Sequence, residues 1–194
     1  MSLRVTPAIG DDLRAAIPDL ARLRMTVFRD FPYLYEGSPE YEERYLGTYL
    51  EAPGALALLA RDGERVVGAS TALPLAQETG ELQAPFRASE FDPADVLYLG
   101  ESVLLPEYRG LGLGHRFFDE REAHAARLGL TVTAFCAVQR PGEHPARPAS
   151  YRPLDAFWQS RGYVERPDLE TTMSWQDVGE VGETAKRMRF WVRG

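Results

Sequence analysis

The chain has 194 residues, 44% hydrophobic and 26% charged, an ordinary globular composition and enough for one domain that buries roughly 70% of its unfolded surface. Its 29 acidic against 22 basic residues give a net charge of −7, whose field repels a polyanion and argues against nucleic acid as a partner. No apolar run approaches the roughly 20 residues of a membrane span and no signal-peptide core opens the chain, while the single cysteine, Cys136, excludes a disulfide framework and a multi-cysteine metal site; a cytoplasmic protein is expected.

Residues 2–7 predict a short strand. Pro18 suits the first position of a helix with Leu20, Leu23, Val27 and Phe28 on one face, and residues 11–17 add an extra turn ahead of it. After Phe31-Pro32 comes an aromatic loop, PYLYEG; Ser38-Pro39 then opens a second helix carrying Tyr41, Tyr45, Leu46 and Tyr49 on one side. Apolar runs at 55–60 and 65–75 meet at Asp62-Gly63, a hairpin signal. The polar stretch 77–95 is irregular, with a short helix at 84–90. Residues 96–105 (VLYLGESVLL) read as one strand ended by Pro106, followed by a helix over 112–128 that Gly129 closes. A strand at 130–138, a loop rich in Pro, Arg and His, a helix at 152–161 and strands at 169–176 and 185–192 complete the chain. This order predicts an α/β fold of the α+β type, with a mixed, mostly antiparallel central sheet flanked by about four helices. The two last strands are candidates for pairing across a two-fold axis in a homodimer.

The segment 101–118, ESVLLPEYRGLGLGHRFF, sets a buried strand, a proline break, a basic residue, three glycines and a helix start in succession. The first amides of a helix lack intrahelical partners and carry the positive end of the macrodipole. Gly110, Gly112 and Gly114 remove side chains that would keep a ligand off the backbone, so the turn suits a pyrophosphate, with Arg109 and Arg116 beside it. A Walker A loop requires Gly-Lys-Ser/Thr, whereas His115 and Arg116 follow the last glycine here. The Rossmann fingerprint requires another glycine spacing and an acidic residue after the next strand. A plain structural turn would need only one glycine.

Arg109, Gly112 and Gly114 match the Arg/Gln-x-x-Gly-x-Gly/Ala signature of the GNAT superfamily of N-acetyltransferases, which the chain resembles from residue 2 to 193. The strand ending V-L-L-P, the helix and strand that follow, and the closing F-W-x-x-x-G-Y also fall where that family has its equivalents. The resemblance implies acetyl-CoA as acyl donor and no metal. It implies that backbone groups of Ser102, Val103 and Leu104 pair with the pantetheine arm. Those of Arg109, Gly110, Leu111, Gly112, Leu113, Gly114 and His115 would hold the pyrophosphate, and the thioester would lie in a V-shaped gap between the 96–105 and 130–138 strands.

Transfer to an amine needs a base, a polarised carbonyl and a proton for the thiolate. Strand alternation sets Glu101 on the face of Leu97, Leu99, Val103 and Leu105, a carboxylate among apolar neighbours and the candidate base. The competing assignment is a structural ion pair with Arg24 or Arg29, and Tyr98, on the opposite face, is a weaker alternative base. Many family members carry a tyrosine acid where this chain has Trp158, so Tyr151 is the substitute candidate, with solvent as its rival. Cys136 reads as an inert apolar group, and His115, His124 and His144 show no metal spacing. Tyr33, Tyr35 and Glu36 are candidate walls for a cationic amine, whereas Glu40 and Glu43 fit an acidic first helical turn. The expected activity is acetyl transfer to a primary amine of a small molecule. The alternatives are a protein N-terminal or lysine acetyltransferase and a silent CoA-binding sensor.

Overall fold

A computed structural model describes residues 2–194, and among them eight strands and five α-helices follow the predicted order. The elements are β1 (Leu3–Ala8), α1 (Gly10–Phe28), α2 (Pro39–Glu51), β2 (Leu56–Asp62), β3 (Arg65–Pro74), α3 (Gly80–Arg87), β4 (Val96–Tyr98), β5 (Ser102–Leu104), α4 (Leu113–Leu128), β6 (Val132–Val138), α5 (Asp155–Ser160), β7 (Val164–Trp175) and β8 (Thr184–Arg193). They build one mixed sheet in the order β1-β2-β3-β4-β6-β8-β7, with β5 also paired to β3. Among the described residues only β4 and β6 run parallel, joined through α4 as a β-α-β unit requires. No helix among the described residues is long and apolar enough to cross a membrane.

Alternation sorts side chains between two helical layers. Tyr98, Cys136 and Phe190 face α1, α2 and α3, where the Phe86 ring meets Phe190 edge-on at 4.9 Å. Their neighbours Leu97, Leu99, Phe135 and Trp191 face α4 and α5, against Phe118, Phe157 and Trp158.

Three local expectations are corrected. The first helix begins at Gly10 and passes through Pro18, because the buried stripe Leu13, Ala16, Leu20 and Leu23 continues across it while the proline ring sits on the exposed side. Burying that stripe outweighs the one backbone bond a mid-helix proline forfeits. The short helix after β3 is Gly80–Arg87 rather than 84–90. The last strand, β8, lies between β6 and β7 with both edges paired, so it offers no edge to a second copy; β7 forms that end of the sheet.

The largest departure is in 96–105, which is two strands and not one. Tyr98 lies opposite Leu73, but Ser102 lies opposite Ser70, a register shift of one residue. The extra residue is absorbed opposite Thr71: the Gly100 amide donates to the Thr71 carbonyl at 3.1 Å, and the Thr71 amide donates to the Glu101 carbonyl at 3.0 Å. This is a β-bulge, and it resets the alternation. Leu97 and Leu99 face α4, whereas Glu101 turns to the α1–α2 layer with Tyr98. The buried guanidinium of Arg121 on α4 caps the bulge from behind, donating to the carbonyls of Thr71 (3.4 Å) and Glu101 (3.3 Å).

Gly100 is required at the bulge. A Cβ there would stand 2.6 Å from the Tyr49 hydroxyl and 2.7 Å from Thr71 Oγ1. Both side chains are buried, so Gly100→Ala should cost about 1–3 kcal/mol of stability, read as a lowered urea midpoint at unchanged slope.

Candidate active site

β4 holds β6 only from Val96 to Tyr98, with the Leu99 amide reaching the Ala134 carbonyl at 2.8 Å. Beyond the bulge β5 pairs with β3 alone, while β6 runs on beside β8 to Val138. The two strands therefore part, and a wedge opens between β5 and the end of β6. The Glu101 carbonyl and the Leu105 amide both bond to β3, which makes 101, 103 and 105 the residues whose main-chain groups point into that ladder. The intervening groups of Ser102 and Leu104 face the wedge. Val103, expected with them as a backbone partner of a bound arm, gives its own amide and carbonyl to β3 by this parity, while its side chain is buried.

At the far end of β5 a 3₁₀ turn, Pro106–Tyr108, is anchored by the Tyr108 hydroxyl on Asp62 Oδ2 at 3.2 Å. Gly110 and Gly112 follow with φ of 75° and 81°, left-handed values that favour glycine, and a Cβ on either would meet open space. Gly112 caps α4, whose Arg116 amide bonds to the Gly112 carbonyl at 3.2 Å. The amides of Leu113, Gly114 and His115 come ahead of that bond, at the positive end of the helix. Leu113 fixes the helix start by burying its side chain, and Leu111 is exposed. Phe157 of α5 packs against both Gly114 and the His115 ring. Arg109 folds back so that its Nε donates to the Leu104 carbonyl at 3.2 Å, linking turn and wedge. Positive φ, absent side chains and leading amides together fit a diphosphate.

The opposite mouth of the wedge is lined from the α1–α2 layer. Glu101 is 7% exposed and receives Arg24 Nη1 at 2.7 Å. Arg24 Nε bonds to Glu42, whose other oxygen accepts the Tyr35 hydroxyl at 2.7 Å. The Arg24 guanidinium also lies 4.4 Å from the Tyr45 ring, and the Tyr45 hydroxyl reaches Glu101 at 3.4 Å. Burial works against the Arg24 charge, but Glu101, Tyr45 and Glu42 outweigh it and hold the guanidinium above its ordinary range. Glu101 thus forms the ion pair, and its main chain sits at the bulge where β4 and β5 take different partners. Glu78 stands nearby, its carboxyl raised by burial and, to a lesser degree, by the charge of Glu101.

Tyr33 and Tyr35 form part of this wall. The Tyr33 ring packs against Phe28 at 4.6 Å and Trp175 at 6.0 Å, and burial raises its hydroxyl. Glu36 does not join them: its carboxylate turns outward to Arg29 at 2.5 Å. The fully buried carboxylate of the region is Glu42, whose signal in the sequence was its i, i+3, i+7 spacing with Tyr45 and Tyr49. Glu40 and Glu43 are exposed on α2. Arg140 was also missed. It grips Asp177 through two bonds of 2.7 and 2.9 Å and donates to the carbonyls of Pro32 and Tyr33, tying the aromatic loop to the end of β7.

Tyr98 faces this side because of the bulge, with its hydroxyl 3.2 Å from Cys136 Sγ. Burial pushes the Cys136 thiol up to about 12, which keeps it protonated and unreactive near neutrality. Trp158 is half-buried and packs 5.0 Å from Phe135 and 5.1 Å from Trp191. Tyr151 meets Phe31 edge-on at 4.7 Å at the mouth, with Arg147 over its ring; burial, then Asp155, raises its hydroxyl. Among the described residues no three His, Cys, Asp or Glu side chains gather to hold a metal ion.

The model of the acetyltransferase (GNAT) family matches residues 19–152. A ribosomal-protein-alanine N-acetyltransferase from Brucella melitensis is similar in structure, with a TM-score of 0.61 at 16% identity over 100% of this chain and 99% of that one. NAA60 from Arabidopsis thaliana, solved with acetyl-CoA, gives a TM-score of 0.62 at 13% identity over 99% and 98% of the two chains. The yncA protein from Salmonella typhimurium, with its cofactor acetyl-CoA, gives 0.60 at 13% identity over 98% and 93%. At such identities these likenesses establish the fold. No protein of curated function matches the chain.

Gly112→Val places a branched side chain at a φ of 81° and its methyl groups over the cradle. Calorimetry with coenzyme A should show binding weakened on the order of tenfold or more, about 1.4 kcal/mol per factor of ten. Equal affinity in the folded variant would remove this turn as the diphosphate site.

Proposed function

The chain belongs to the GNAT family of acetyltransferases, and on that footing we propose that it moves an acetyl group directly from acetyl-CoA to a primary amine of a small molecule. The observation that carries the proposal is a wedge with two unlike mouths. On one side stand a glycine cradle and the free edge of β5; on the other stand a buried carboxylate and aromatic walls.

Acetyl-CoA supplies the activated acyl group. In this reading the amides of the 109–115 turn hold its diphosphate, and the main-chain groups of Ser102 and Leu104 take the pantetheine arm along the open edge. The Leu104 or Ser102 amide is also within the wedge to polarise the carbonyl. Tyr33 and Tyr35 wall the amine, and Glu101, held by Arg24, faces it. As its nitrogen forms the C–N bond and the C–S bond breaks, Glu101 takes up the nitrogen's proton, directly or through water. Tyr151, kept protonated by its surroundings, returns a proton to the thiolate. The reading is of a cytoplasmic enzyme.

A second reading, acetylation of a protein N-terminus or lysine, is favoured by the likeness to the Brucella ribosomal-protein-alanine enzyme. Against it, the loop holding Phe31, Tyr33 and Tyr35 is fixed by Arg140 and supplies aromatic walls, which favour a small acceptor over an open peptide groove.

Thiol release from acetyl-CoA, with a panel of small amines beside peptides bearing a free N-terminus or a lysine, tests both. Turnover on small amines is expected. Turnover on peptides alone would overturn the first reading in favour of the second, and tight acetyl-CoA binding with no turnover would leave a sensor. Glu101→Gln should lower kcat on the order of 10²-fold or more with acetyl-CoA affinity retained. An unchanged rate would remove Glu101 as the base.

A further inference from the structure

Arg24 is one cation shared by two carboxylates, both almost entirely withdrawn from water: Glu42 is 0% exposed and Glu101 7%. The two acids come from different places, Glu42 from α2 and Glu101 from the bulge. Arg24 reaches them with different nitrogens, Nε for Glu42 and Nη1 for Glu101. A planar guanidinium presents its donors in a fixed fork, one nitrogen toward each acid, whereas a lysine ammonium would carry the same charge without that fixed geometry. The guanidinium carbon lies 4.4 Å from the centre of the Tyr45 ring and 5.2 Å from that of Phe28, so packing helps to set its position.

Resting on the transfer reading above, we propose that Arg24 is a positioning residue, which fixes the Glu101 carboxylate in place, keeps a cation on it and thereby sets the acid limit of the transfer. Without that cation two buried carboxylates would be left with no compensating charge, and the cheapest relief is to protonate one. Other groups also face Glu101. Tyr45 and Tyr49 do so from α2, Tyr33 from the aromatic loop, Glu78 from beyond β3, and Arg121 from α4. Arg121 donates to the Glu101 main-chain carbonyl, and the tyrosines are neutral, so Arg24 is the cation seated on the side-chain oxygens. The Tyr35 hydroxyl on Glu42 extends the chain to the acceptor loop.

The test is a carboxyl carbon-13 NMR titration of glutamate-labelled protein, with the Glu101 signal assigned by its loss in E101Q. In R24Q the Glu101 midpoint should rise by about one pH unit or more, and in R24K by less. With an active amine, the acid limb of kcat/KM should move by the same interval, while acetyl-CoA affinity stays within about twofold of the parent. If R24Q does not fold, R24Q/E42Q removes the cation together with one of the acids it neutralises and is titrated in its place. A Glu101 midpoint unmoved in the folded variant overturns the proposal. Because the titration requires no turnover, failure to find any acceptor would sink the transfer reading while this result stands or falls alone.

Discussion

One surplus residue in the middle of the sheet governs the site. The bulge at Gly100 and Glu101 lets β4 hold β6 and β5 hold β3, so the strands must diverge, and it turns a glutamate that simple alternation would bury under α4 toward the other layer. Its cost is spread over several partners. Thr71 Oγ1 accepts the Glu101 amide at 3.3 Å, Ser70 Oγ donates to the Glu101 carbonyl at 2.8 Å, and Arg121 reaches the same carbonyl from behind. With these groups satisfied, a disrupted ladder can persist in the core without stranded polar atoms.

The sheet then separates two electrostatic tasks. Below it, near α4, glycines and helix amides offer fixed positive potential made of backbone, which no titration can change. Above it, near α1 and α2, the potential is made of side chains in balance: Arg24 against Glu42 and Glu101, and Arg140 with Lys186 against Asp177. Buried ionic groups of this kind add little net stability, yet removing one partner costs about 3–5 kcal/mol because the other is left uncompensated. Such sites resist piecemeal change.

What could be read in the sequence follows the range of the forces involved. The cradle was legible because helix start, glycines and flanking arginine all lie within 109–116, and the closing Gly129 cap at a φ of 74° is equally local. Element order was legible for the same reason. Glu101 was found as a residue but assigned to the wrong face, since a bulge leaves no periodic trace; its only mark is Gly100, whose need comes from Tyr49, fifty-one residues away in the chain. Glu36 stood as a candidate because a loop gives no periodicity to say which carboxylate turns inward; the structure turns it out to Arg29 and buries Glu42 instead. Arg140 and Asp177 had no local signal. Their partnership depends on how β6 and β7 are brought together around β8.

The clamp of Arg140 on the aromatic loop has a consequence for descent. In the proposed reading the donor half of the molecule is written in one continuous stretch from β4 to the end of α4, whereas the acceptor wall is assembled from the α1–α2 loop, the end of β6 and the end of β7. Mutations that reshape the second can accumulate without touching the first. In that reading a lineage carrying this scaffold is free to diversify its clientele while inheriting its currency unchanged, with the buried Arg140–Asp177 clamp kept and the loop residues it holds exchanged.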